Sequence, residues 1–67
     1  MTVEKLLEFI KKDFQVRDLY IDHKLQNGQS IEKSILDKNV YDWEHKRLNK
    51  EGLVDIYINL DEENGLN

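Results

Sequence analysis

Apolar residues recur over the first fourteen positions with the spacing of a single helical face. Val3, Leu6, Leu7, Ile10 and Phe14 stand at i, i+3, i+4, i+7 and i+11, the stripe expected of an amphipathic helix with a 3.6-residue period. Thr2 is placed to cap it, Glu4 lies in the first turn and Lys11 and Lys12 in the last, so charge and hydrophobic period agree with the helix dipole. Phe9 falls beside Leu6 and off the main stripe, where it either widens the buried face or leaves a ring for a partner.

A different period governs the C-terminal third. Val54, Ile56, Ile58 and Leu60 alternate with Asp55, Tyr57 and Asn59, the period of two of a half-buried strand. Upstream, Tyr41, Trp43, His45 and Arg47 share one side of a second alternating run. With Asn49-Lys50-Glu51-Gly52 as the turn, Leu48 opposes Leu53, Trp43 faces Ile58, His45 faces Ile56, Tyr41 faces Leu60 and Lys46 meets Asp55 as a cross-strand charge pair. Between helix and hairpin, Asn27-Gly28 signals a type I′ turn. Pairing about it sets Asp22 against Lys33, His23 against Glu32 and Leu19 against Leu36. One side then carries Leu19, Ile21, Leu25 and Leu36, the other Tyr20, Ile31 and Ile35. The expected fold is α+β: one N-terminal helix packed on a small antiparallel four-stranded sheet, a single domain over 1–67 with 61–67 a frayed tail.

A second parse takes residues 29–36 as one helix and 40–54 as a helix running into Leu48-Asn49-Lys50-Glu51-Gly52-Leu53-Val54. This pattern resembles the helix-turn-helix and wing entry of winged-helix repressors. The resemblance implies a DNA-binding regulator with Lys46, Arg47 and Lys50 on the nucleic-acid surface. Asp42, Glu44 and Glu51 interrupt that basic cluster, which weighs against a footprint built to neutralise phosphates.

Composition narrows the classes further. The chain has 67 residues, and at this size a core alone supplies little surplus stability, which favours a partner or a second copy. No cysteine is present, which removes disulfides and thiolate metal sites. No apolar run has the length of a membrane span and the N-terminus lacks a signal-peptide pattern, so a cytoplasmic protein without membrane contact is expected. The abundance of Lys, Asn, Ile, Asp and Glu without Ala or Pro suggests an AT-rich coding sequence, as in a low-GC bacterium or its phages. The balance of 14 acidic against 10 basic side chains disfavours nucleic acid as a partner.

No nucleophile, base and charge stabiliser occur together in any familiar spacing, and the three glycines form no phosphate-binding motif. Asp42 with His45, or Asp22 with His23, is a poor metal set, so no cofactor and no metal are expected. Trp43, Tyr41, His45 and Arg47 resemble a stacking platform for single strands, but their cross-strand neighbours make them core. The reading is a non-enzymatic protein-binding module: a homodimer that also docks on a larger host protein, acting as a bacterial or phage accessory protein that inhibits or modulates a host enzyme or defence system. Phe9, Tyr20, Ile31 and Ile35 are its expected contact surface.

Overall fold

The helical stripe and the two-residue alternation produce the elements they predict at both ends of the chain. The computed structural model describes residues 1–26 and 30–61. Its elements are α1 (Val3–Asp13), β1 (Gln15–Ile21), β2 (Lys24–Gln26), α2 (Lys33–Leu36), β3 (Val40–Arg47) and β4 (Leu53–Leu60). Thr2 caps α1 through its hydroxyl, which accepts the Lys5 N–H at 3.4 Å, while Phe14 N–H closes the last turn on Ile10. Val3, Leu6 and Ile10 are buried. They meet Leu19 and Ile21 of β1 and Val54, Ile56 and Ile58 of β4 in one core. No helix among the described residues is long and apolar enough to cross a membrane.

The sheet runs β2-β1-β4-β3. It is mixed rather than all antiparallel: β1 and β4, the two central strands, run parallel, from Gln15↔Leu53 to Ile21↔Ile58. Alternation assigns each side chain to a face, but leaves a strand's neighbours to the connections, and here the thirteen residues between β2 and β3 join the two opposite edges of the sheet. A bulge at Arg17 shifts the β1–β4 register between Val16 and Asp18.

The β3–β4 hairpin has the expected register, with Trp43↔Ile58, His45↔Ile56 and Lys46↔Asp55. Leu48 N–H donates to Leu53 across the turn. Two details differ. A bulge pairs Val40, not Tyr41, with Leu60, and leaves Tyr41 72% exposed. The carboxylate of Asp55 binds Arg17 at 3.1 Å instead of pairing with Lys46.

Inside the turn, Asn49 Oδ1 accepts the N–H groups of Glu51 and Leu53. Gly52 has φ +90, and a Cβ there would meet nothing within 4 Å. The cost of a side chain at Gly52 is therefore purely conformational. Gly52→Ala should destabilise the chain by about 1 kcal/mol and lower Tm by about 5 °C. An unchanged melting curve would show that the turn relaxes to another conformation.

The middle of the chain differs most. β1 turns into β2 at Asp22-His23, both with positive φ (49 and 69), as a type I′ turn demands of its central pair. Leu19 consequently pairs Gln26, Tyr20 pairs Leu25, and Ile21 pairs Lys24. The expected pairs Asp22 with Lys33, His23 with Glu32 and Leu19 with Leu36 do not form. Asp and His tolerate the left-handed region better than most residues, a weaker signal than Asn-Gly. Asp22 is held further because its carboxylate accepts the Leu60 N–H at 2.9 Å. The Asn27-Gly28 turn lies outside the described residues, as does the tail beyond Asp61.

Residues expected as a strand at 31–36 instead end in the short helix α2. Ile31, before the helix, and Ile35 and Leu36 within it all pack against the core, so the adjacent Ile35 and Leu36 do not alternate between faces as a strand would place them. The residues of the winged-helix recognition helix form β3, so that resemblance is not realised in the fold. On a strand, Asp42 and His45 point to opposite faces, unlike the i, i+3 neighbours they would be on a helix.

Candidate interaction surface

The sheet presents one face to α1 and leaves the other without a described element across it. Along β1, Leu19 and Ile21 point to the helix, so Tyr20 between them points away; along β4, Ile56 and Ile58 do the same for Tyr57. Parallel pairing sets these two tyrosines side by side. Their rings stack with centroids 5.0 Å apart and an interplanar angle of 7°. Leu25, 62% exposed, extends this row on one side and Glu44 on the other.

A charged row lies beside it. Asp55 is buried on the central strand, and its two oxygens accept from Arg17 Nε at 3.3 Å and Nη2 at 3.1 Å. Asp55 Oδ1 also accepts the N–H of Asp18 at 3.2 Å, so the carboxylate supplies an acceptor at the Arg17 bulge. Arg17 further contacts Asp18 at 3.4 Å. The hydrogen bond that Arg17 donates to Asp55, and then the charge of Asp55, hold the Arg17 guanidinium above its ordinary pKa. Burial, then the nearby charges of Asp18 and Asp55, push the Tyr20 phenol up. Tyr20 therefore remains a neutral phenol, able to donate and accept.

The expected contact residues do not share one surface. Tyr20 occupies the open face. Phe9 projects from α1 on the other side of the sheet, 49% exposed, with its ring edge-to-face with Trp43 at 6.2 Å. Ile31 and Ile35 are partly buried against the core. Of the basic residues, Lys46 lies on the open face, Arg47 on the helix face and Lys50 in the turn. Trp43 packs with Phe14 at 6.3 Å, and His45 with Phe14 at 4.6 Å, on the helix side.

The sequence pattern marks Asp55 only as a cross-strand partner of Lys46, Tyr57 only as a polar position in the alternation of β4, and Arg17 not at all. The position of Tyr57 between two apolar residues assigns its face, but only the parallel β1–β4 pairing brings it to Tyr20. Among the described residues no cluster of His, Asp and Glu is suited to a metal ion. Comparison of the chain with protein-family models, curated proteins and solved structures gives no match. The functional reading rests on the chemistry of this surface.

Proposed function

We propose that the chain is a non-enzymatic protein-binding module, homodimeric, that docks on a larger protein through the open sheet face. The role that fits is an accessory protein of bacterial or phage origin that inhibits or modulates a host enzyme or defence system by covering part of its surface. The observation that supports this is the stacked Tyr20–Tyr57 pair at the centre of an otherwise charged face. Tyrosines offer a large rigid contact with a polar tip, and a central aromatic group inside a polar rim is the common anatomy of a binding hot spot.

Two stacked aromatics on a sheet also suit nucleic-acid bases, but the charge here points to protein. Arg17 is engaged with Asp55, and Asp18, Asp42 and Glu44 outnumber Lys46 on the same face. Those carboxylates repel phosphates and favour a partner with an apolar pocket edged by Arg or Lys.

The test uses the immobilised chain as bait in a bacterial lysate. The wild type should retain one discrete protein in stoichiometric amount, which Tyr20→Lys/Tyr57→Lys releases while keeping the wild-type far-ultraviolet spectrum. At about 2 kcal/mol for each hot-spot residue, one substitution weakens binding about thirtyfold and the pair about a thousandfold. Equal retention by both baits would sink the assignment of the face. Salt-sensitive binding of single-stranded DNA by the wild type would replace the protein partner by nucleic acid.

A further inference from the structure

The edges of the sheet are unequal. β2 is three residues long, whereas β3 is an eight-residue edge strand that, among the described residues, has no second neighbour along most of its length. At its start the N–H of Val40 donates to the Met1 carbonyl, which occupies the edge there. From Trp43 to Arg47 no described strand pairs with it on that side. Leu48 N–H points to Leu53 of β4, so by alternation Lys46 and Glu44 also direct their backbone groups inward. Trp43, His45 and Arg47 direct theirs outward, to the free edge.

Exposed apolar groups gather on the same side. Of the five large exposed hydrophobic residues among those described, Met1 adjoins Val40, Phe9 packs on Trp43, and Tyr41 and Leu48 flank the open stretch, while Leu25 lies elsewhere. A long unpaired edge bordered by apolar side chains is a template for another strand.

We propose that the β3 edge is the homodimer interface, joined antiparallel to β3 of a second copy about a two-fold axis through His45, making one continuous eight-stranded sheet. This rests on the homodimeric part of the proposed function and specifies its surface. Directly opposed residues share a face, and an axis perpendicular to the sheet keeps each copy's faces, so the axis must pass through a residue. The charges then select which one. An axis through Asp42, Glu44, Lys46 or Arg47 sets that charge against itself, and one through Trp43 sets Asp42 against Glu44. Only the axis through His45 within this stretch avoids opposed like charges. It places Glu44 opposite Lys46 of the second copy, twice over, on the open face. On the helix face it places Trp43 opposite Arg47 of the second copy, also twice, a cation–π arrangement. His45 pairs with its own copy, and the outward groups of residues 43, 45 and 47 complete the ladder.

Light scattering over a micromolar to millimolar series tests this with four proteins. The wild type should approach twice 8.1 kDa. Glu44→Lys and Lys46→Glu each convert two attractive cross-copy pairs to repulsive ones and should raise the dimer Kd about 10- to 100-fold. Mixing the two variants restores opposite charges across the interface, and the mixture should dimerise like the wild type. Because Lys46→Glu also faces Asp55 within its own chain, the fourth protein is His45→Pro. Its lost N–H faces the open edge, so the monomer fold should persist while the dimer dissociates. A dimer indifferent to all three variants keeps the homodimer and overturns the β3 interface. Weakened single variants without recovery on mixing overturn the register through His45. A monomer at every concentration overturns the interface together with homodimerisation, and leaves docking through Tyr20 and Tyr57 to its own test.

Discussion

Ile56→Ala is expected to bring the chain close to the edge of stability at 25 °C, with a substantial unfolded fraction. Ile56 is fully buried in β4, between β1 and β3 and beneath α1. Removing a buried isoleucine to alanine costs about 2–5 kcal/mol, through lost transfer energy and the cavity that remains. A single core in a chain of this size rarely supplies more than about 3–5 kcal/mol in total. The two quantities are comparable, so the substitution consumes most of the margin. Ile56→Val, which removes one methylene, should cost about 1 kcal/mol and remain folded. Urea titration followed by circular dichroism separates them: the valine variant should show a complete transition at a lower midpoint, the alanine variant a truncated one. An alanine variant with the wild-type midpoint would mean that Ile56 is not at the centre of the core. The proposed dimerisation would add a concentration dependence, because a partner that binds only the folded chain raises the midpoint as protein concentration rises.

The second large effect is at Asp55. Asp55→Ala should destabilise by about 2 kcal/mol, the order expected when a buried donor loses a charged acceptor. The guanidinium of Arg17 is half-exposed and regains water when its partner is removed. The Asp18 N–H at the bulge has no such ready substitute, so the loss is assigned mainly to that group. Asp55→Asn retains a carbonyl oxygen in the same place and should recover more than half of it. Chemical denaturation of both variants decides between bulge and ion pair. If asparagine is as damaging as alanine, the charge pairing with Arg17 carries the stabilisation instead. Asp55 also braces the open face, since its neighbours Asp18 and Arg17 flank Tyr20 in β1. Partner binding by Asp55→Asn therefore separates loss of the contact surface from loss of the fold.

The two surfaces use different parts of one small sheet. The proposed docking through Tyr20 and Tyr57 would occupy the face, and the proposed pairing of β3 the edge, so the two are geometrically compatible in one assembly. In the dimer with its axis through His45 both open faces point the same way. Such a module would present two tyrosine pairs to a partner, with the increase in avidity that bivalent contact allows.

Local chemistry and side-chain period were enough for α1, with its Thr2 cap and its Val3, Leu6 and Ile10 face, and for the β3–β4 register from Trp43↔Ile58 to Lys46↔Asp55. In both, the interacting residues are near in sequence, so a period and a turn determine who meets whom. The α+β class follows from the same signals. The turn at Asp22-His23 was less visible because Asn27-Gly28, a stronger turn signal, lies a few residues on, and the short run at Ile31, Ile35 and Leu36 has both strand and helix readings. What only the tertiary structure decided is the parallel contact of β1 with β4. That contact stacks Tyr20 on Tyr57, brings Arg17 to Asp55 thirty-eight residues away and leaves β3 as the long free edge. A period of two assigns each residue to a face, but it carries no information about which distant strand lies alongside. That choice is made when the most apolar strand, β4, takes the central position where α1 covers it and a strand lies on each side.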